Sequence, residues 1–252
     1  MLREVAHFCW TVPEAAALKR AMPQADFYDL IMRRADEAGM AAQRGAAARG
    51  LTGRVLELGC GTGLMFPHYP REATVEAVDV DEEALVLASR RATDARAAGR
   101  SIRVQRASAL ALPFEDGGFD AVVCALVLCS VESVAAVLGE LTRVARAGAD
   151  VRLIEHVRSP RPVAGALMAL VDPLWVALNG QGCHMSRRTE REVVDGGLAL
   201  LEVEAFQVFA RGLPALPMRR MRARVADATA PRGVSAARAP RGSRRPTRDR
   251  AD

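Results

Sequence analysis

Residues 55–63 read VLELGCGTG: Val55, Leu56, Glu57 and Leu58, then Gly59-Cys60-Gly61-Thr62-Gly63. The apolar run 54–58 predicts a short buried strand, and the strand runs straight into Gly-x-Gly-x-Gly. Glycines let a backbone turn tightly and approach a ligand with no Cβ in the way. In open α/β sheets, ligands sit at the carboxyl ends of the strands, near the reversal of strand order. A dinucleotide site would place a third glycine at position 64, where a pyrophosphate would meet a helix N-terminus. That position is Leu64, and Glu57 stands two residues before the first glycine. A carboxylate there suits a cationic ligand such as an amino-acid ammonium, not a pyrophosphate.

Working outward, strands are expected over 74–78, 102–106, 119–124 and 151–155. Helices are expected over 26–49, 81–98 (capped by Asp81) and 132–146. This alternation predicts an α/β fold with a mostly parallel sheet covered on both faces. Asp79 closes the second strand in VEAVDVD. An acid there, about twenty residues past the glycine turn, can take both hydroxyls of a ribose. Beyond residue 156 the rhythm changes. An apolar helix is expected over 161–178, broken at Pro173, then a loop, a short helix over 189–195 capped by Thr189 or Ser186, and a strand over 200–209. The expected organisation is an extension over 1–24, a domain over 25–218 with a cofactor-binding core at 50–156 and a substrate side at 157–218, and an Arg-rich, disordered tail over 219–252.

The motifs LELGCGTG, AVDVD, ALALPFEDGGFDAVVC and TRVARAGADVRLIEH together resemble the class I methyltransferases, in the branch of the quinone-biosynthesis enzymes. LVLCSV, IEHVRSP, DPLW and GCHMSR look most like the methyltransferase-like proteins that methylate alkyl thiols and their bacterial relatives. The resemblance covers about residues 27–212. It implies a Rossmann-like fold, S-adenosyl-L-methionine as cofactor, and methyl transfer to a small or lipophilic acceptor, with a thiol as one candidate. The alternatives are a quinone or lipid headgroup acceptor, or a cofactor-binding protein without catalysis. It also implies that Glu57, Gly59, Gly61 and Gly63, with Cys60 and Thr62 between them, line the methionine end. Asp79 would bind the ribose, Val80 would pack on the adenine, and Ser108 with Ala109 would meet the adenine edge. Cys124 and Ala125 would contact the methionine moiety. Ser108 departs from the family, which carries Asp there, and PMRRMRARV replaces the usual last strand.

Methyl transfer from a sulfonium is an in-line displacement in which the protein supplies alignment and desolvation. A thiol, with a pKa near roughly 8.5, needs modest help from a base. His156 and His184 are the candidate catalytic bases, with a structural role the alternative for each. Tyr28 is a candidate to close over the cofactor, and Asp172 and Arg187 to orient His184. Cys183 reads as a bystander, and Cys124 and Cys129 as core thiols. The apolar helix is expected to wall a hydrophobic pocket or, if exposed, to lie against a membrane surface.

Composition bounds the rest. Of 252 residues 50% are hydrophobic and 26% charged, ordinary values for a globular protein. The formal net charge of +5 is concentrated at the end, because residues 219–252 hold eleven arginines against three aspartates. The remaining body is mildly acidic, so nucleic acid is not an expected partner. Five cysteines with no Cys-x-x-Cys spacing indicate neither a disulfide framework nor a metal site. The start carries no signal-peptide pattern, which makes a cytoplasmic location the expectation.

Overall fold

The computed structural model describes residues 17–179, 182–210 and 215–226. Helix α1 (Gln24–Ala35) leads through a π turn at Asp36–Met40 into α2 (Ala41–Ala48). One continuous helix was the expectation over 26–49. It is kinked at Gly39, whose φ of 118° is open to glycine and strained for other residues. An Arg44–Asp36 ion pair of 2.9 Å spans the kink.

Strands β1 (Gly53–Leu58) and β2 (Ala73–Asp79), helix α3 (Glu82–Ala97), β3 (Ser101–Arg106) and β4 (Phe119–Ala125) follow in alternation. Asp81 caps α3 as expected, accepting from the backbone N–H groups of Glu83 and Ala84. Helix α4 (Val134–Val144) and β5 (Ala145–His156) complete the alternating part. Helix α5 (Pro162–Asn179), helix α6 (Thr189–Asp195) and strands β6 (Leu198–Phe206) and β7 (Met218–Val225) close the described chain. Pro173 lies inside α5 and does not end it, contrary to the expected interruption.

The seven strands are ordered β3-β2-β1-β4-β5-β7-β6. All pairings from β3 to β5 are parallel, and β7 runs antiparallel to both β5 and β6. Alternation along β1 divides the core. Leu56 and Leu58 pack with Val137, Leu138 and Leu141 of α4 on one face. Val55 packs with Ala88, Ala92 and Ala95 of α3 on the other. The order of the sheet reverses between β1 and β4, so their carboxyl ends open the crevice in which α/β sheets bind ligands.

The expected edge of the domain at residue 218 is corrected by β7. Met221, Ala223 and Val225 face the core, at 3% exposure or less. The arginines between them meet acids on both neighbours. Arg222 lies 3.2 Å from Asp150 of β5 and 3.4 Å from Glu202 of β6, and Arg220 pairs with Glu204. Opposite charges across strands favour one register. A segment that looked like the start of a basic tail is therefore an inner strand. The expected tail beyond it, like most of the expected extension at 1–24, lies outside the described residues.

Candidate functional site

The glycine turn follows β1 at the reversal point. Gly59, Gly61 and Gly63 all have positive φ, at 62°, 52° and 83°. A Cβ on each would meet different surroundings. On Gly59 it would lie 2.6 Å from Val127, and on Gly63 2.6 Å from Phe66 and 3.2 Å from the backbone of Ala88. On Gly61 it would meet only Tyr28, at 3.8 Å. Gly59 and Gly63 are thus packing glycines, while Gly61 borders the space between the turn and the Tyr28 ring. That is a cradle which a side chain would fill.

Three carboxylates hold the backbone around this cradle. Asp79 Oδ2 accepts from Gly61 N at 2.7 Å, and its Oδ1 accepts from Val80 N at 2.7 Å and Asp81 N at 3.0 Å. Of about four lone-pair positions on a carboxylate, one remains. That position is open to one further donor. Asp29 of α1 accepts from the Thr62 hydroxyl at 2.8 Å and from Arg91 Nη2 at 2.9 Å, while Arg91 Nη1 donates to the Thr62 carbonyl at 2.6 Å. Glu155, fully buried at the end of β5, accepts from the N–H groups of Val127, Leu128 and Cys129. Burial pushes its pKa up to about 6 against the pull of those bonds. The loop it holds begins with Leu126, whose φ of 64° is the non-glycine exception among the described residues. Such strain gathers at sites that the surrounding structure over-determines.

The other expected contacts divide. Val80 stands 58% exposed just past β2, and Ala107 N donates to the Asp79 carbonyl, which sets Ser108 and Ala109 beside it. The Ser108 hydroxyl already accepts from Leu110 N at 3.2 Å. Glu57 is buried and accepts a 2.8 Å hydrogen bond from the Tyr69 hydroxyl. Burial raises its pKa to about 8, so it is mostly protonated at neutral pH. The side chains of Cys60 and Cys124 are buried in the core, and burial pushes both thiols well up. What Cys124 offers the crevice is backbone, as Ala125 does beside it.

Across the crevice, the two histidines find different partners. His184 Nδ1 lies 2.9 Å from Asp172 Oδ2, and Asp172 also accepts from Met185 N and the Ser186 hydroxyl. Asp172 of α5 therefore shapes the segment 184–186, and these bonds hold its pKa down against burial. Arg187 instead donates to the carbonyl of Val131. His156 Nε2 lies 2.6 Å from Cys183 Sγ. The Cys129 thiol and the His156 imidazole hold the Cys183 thiol well below its ordinary pKa, against its burial. Burial opposes charge on His156, but the Cys183 bond keeps its pKa above the ordinary value. Cys183, which contacts both of the others, is a residue read as a bystander. Its partners lie 27 and 54 positions away, a separation in which no spacing motif exists.

Helix α5 leaves an apolar stripe uncovered: Val163, Leu167, Leu170, Val171 and Leu174 are all exposed, Val163 at 83%. Among the described residues, no helix is long and apolar enough to cross a membrane.

Comparison with known proteins agrees with this arrangement. The sequence profile of a methyltransferase domain matches residues 56–153. Human thiol S-methyltransferase TMT1B is 33% identical over 168 residues, covering 62% of this chain and 66% of that protein. The chain therefore spans just under two thirds of the length of the thiol relatives it matches. The phosphatidylethanolamine N-methyltransferase of Cereibacter sphaeroides is 31% identical over 192 residues, covering 75% of this chain and 91% of that one. Among solved structures, the YcgJ protein of Bacillus subtilis superposes with a TM-score of 0.62 at 17% identity, over 75% of this chain and 98% of that one.

Proposed function

The chain belongs to the class I S-adenosylmethionine-dependent methyltransferases, and from that premise we propose that it methylates the sulfur of a small or lipophilic thiol. The observation that carries the acceptor is the side of the crevice facing the glycine turn, where Cys129, His156, Cys183 and His184 gather. The bound cofactor supplies an electrophilic methyl group on a sulfonium. The protein's task is then to align a soft nucleophile with it and keep water out. Gly61 leaves room for the methionine end and Tyr28 covers it. The remaining lone pair of Asp79 takes a ribose hydroxyl, Val80 lies under the adenine, and Ser108 with Ala109 borders its edge. His184, fixed through Nδ1 by Asp172, presents its other nitrogen to the acceptor. The thiol relatives of known activity support this reading.

A second reading has the α5 stripe as its observation: an acceptor presented at a membrane surface, such as a lipid headgroup amine. Exposed Arg161, Arg188 and Arg191 flank the stripe, a composition suited to anionic lipid. It also has a phosphatidylethanolamine relative in its favour.

Calorimetric titration with S-adenosylmethionine, on wild type and Asp79→Ala, tests the cofactor site. Binding that collapses in the variant is expected. Mass spectrometry of reactions with an alkyl thiol, a demethylated quinone and phosphatidylethanolamine vesicles then identifies the acceptor. An S-methyl product supports the first reading. Methylated lipid with no S-methyl product overturns it in favour of the second.

A further inference from the structure

We propose that Cys129 Sγ, His156 Nε2 and Cys183 Sγ bind a zinc(II) ion, leaving its fourth position to the sulfur of the acceptor. The three ligand atoms lie within 4.8 Å of one another. In a tetrahedral site, bonds of about 2.3 Å to sulfur and about 2.0 Å to nitrogen place ligand atoms roughly 3.5–3.8 Å apart. The cluster is gathered to within about 1 Å of that size. An ion enters by spreading the 2.6 Å His156–Cys183 contact by about 1 Å.

Each ligand sits on fixed backbone. Glu155 Oε2 holds Cys129 N at 3.2 Å, and His156 is the last residue of β5. The side chain of Asn179 brackets Cys183, donating to its carbonyl at 2.8 Å and accepting from its N–H at 3.3 Å. Cys129 and His156 are buried, and Cys183 is partly so. Two thiolates and a neutral imidazole cancel the charge of a divalent zinc ion, which is the charge balance a buried site needs. The soft donor set selects zinc over magnesium or calcium. Three protein ligands with one position open is the pattern of catalytic rather than structural zinc.

The position is what gives the ion work to do. Cys129 follows β4 and His156 ends β5, both at the carboxyl edge that carries the glycine turn. Tyr28, whose ring borders Gly61, lies within electrostatic reach of both cysteines. An acceptor R–SH that coordinates the open position loses its proton to solvent and binds as the thiolate. That sulfur attacks the methyl carbon, and the methyl–sulfonium bond breaks with its electron pair staying on the cofactor sulfur. The products are R–S–CH3, S-adenosylhomocysteine and the released proton. A thioether is a weaker ligand than a thiolate, so the product leaves. This inference rests on the methyltransferase reading for the acceptor step, while the metal site stands on geometry alone.

The test is titration of the full chain, reduced and stripped of metal, with cobalt(II) as a spectroscopic substitute for zinc. One equivalent should bind with a thiolate-to-cobalt charge-transfer band, and zinc should displace it. The band should be about halved in Cys183→Ser and in Cys129→Ser and lost in the double variant, and His156→Ala should lose stoichiometric binding. S-adenosylmethionine titration reports whether each variant is folded. If the cysteine variants do not fold, X-ray absorption on the zinc-loaded wild type should show two sulfurs and one nitrogen from the protein. A reduced wild type that binds no cobalt, or that binds it without a thiolate band, overturns the site. That result leaves the methyltransferase reading untouched, since thiol methylation is assayed separately.

Discussion

Substituting alanine at Gly61 and at Gly63 separates cofactor recognition from folding within one turn. Both glycines have positive φ, so either alanine costs about 1 kcal/mol of backbone strain. The surroundings of the new methyl differ. On Gly63 it would lie 2.6 Å from the Phe66 ring, which is fully buried, and 3.2 Å from the backbone of Ala88, which cannot swing away. Overpacking of that kind costs about 1–3 kcal/mol more. With a total near 3 kcal/mol, Tm should fall by about 6–12 °C for a chain of this size. On Gly61 the methyl meets only the edge of Tyr28 at 3.8 Å, an ordinary contact. Only the strain remains, and Tm should fall by about 2–4 °C.

Binding should reverse the ranking. The Gly61→Ala methyl occupies space assigned to the methionine end of the cofactor, and a clash worth about 1–3 kcal/mol weakens affinity roughly 5- to 150-fold. Gly63→Ala loosens the turn but leaves the cradle open. The assays are differential scanning fluorimetry without ligand and calorimetry with S-adenosylhomocysteine. A Gly61→Ala protein that binds as tightly as wild type would refute the assignment of the cradle. A Gly63→Ala protein with unchanged Tm would refute the packing argument.

Two further outcomes follow from the carboxylates. Asp29→Ala removes both the acceptor of the Thr62 hydroxyl and the counter-charge of Arg91, whose side chain is 25% exposed. It should lose about 2–4 kcal/mol in urea unfolding. In a double-mutant cycle with Arg91→Ala the coupling should exceed about 0.5 kcal/mol, and simple additivity would show that the clamp is incidental. Glu57 titrates near 8 in the fold, above its ordinary 4.5, because burial disfavours its charge. The unfolded chain releases that proton first, so this group's contribution is greatest below about 4.5 and is lost as pH rises through about 8. Glu57→Gln keeps an acceptor for Tyr69 and should flatten this decline between pH 5 and pH 9, relative to wild type. Parallel pH profiles of the two proteins would contradict the raised value.

What the chain discloses directly is local. The strand-to-glycine turn, the Asp81 cap and the strand–helix alternation are all set by neighbours within a few residues, and each was legible. The kink at Gly39 was not, because a lone glycine in an alanine-rich helix is tolerated as often as it bends. Strand β7 was misread for a physical reason. Arginine is common in tails, and Arg220 and Arg222 look unburiable until Glu202, Glu204 and Asp150 are seen on the adjoining strands. The alternation of Met221, Ala223 and Val225 with arginine was the available signal, a period of two with one face buried.

The same distinction explains the two halves of the site. The glycine turn proposed to hold the cofactor is contiguous, so its motif can be read in order. Even there, the supporting acids Asp29 and Glu155 come from α1 and β5, and only the fold reveals that they hold the turn and the facing loop. The cluster proposed to meet the acceptor has no contiguous part. Cys129, His156 and Cys183 come from three segments that share nothing but the carboxyl edge of the sheet. Each alone is most economically read as a core thiol or a structural histidine. Convergence is what changes that reading: two sulfurs and an imidazole nitrogen within 4.8 Å of one another form a soft donor set that no one of them suggests alone. Strand topology is what gathers these three side chains, whereas the glycine turn is gathered by sequence order alone.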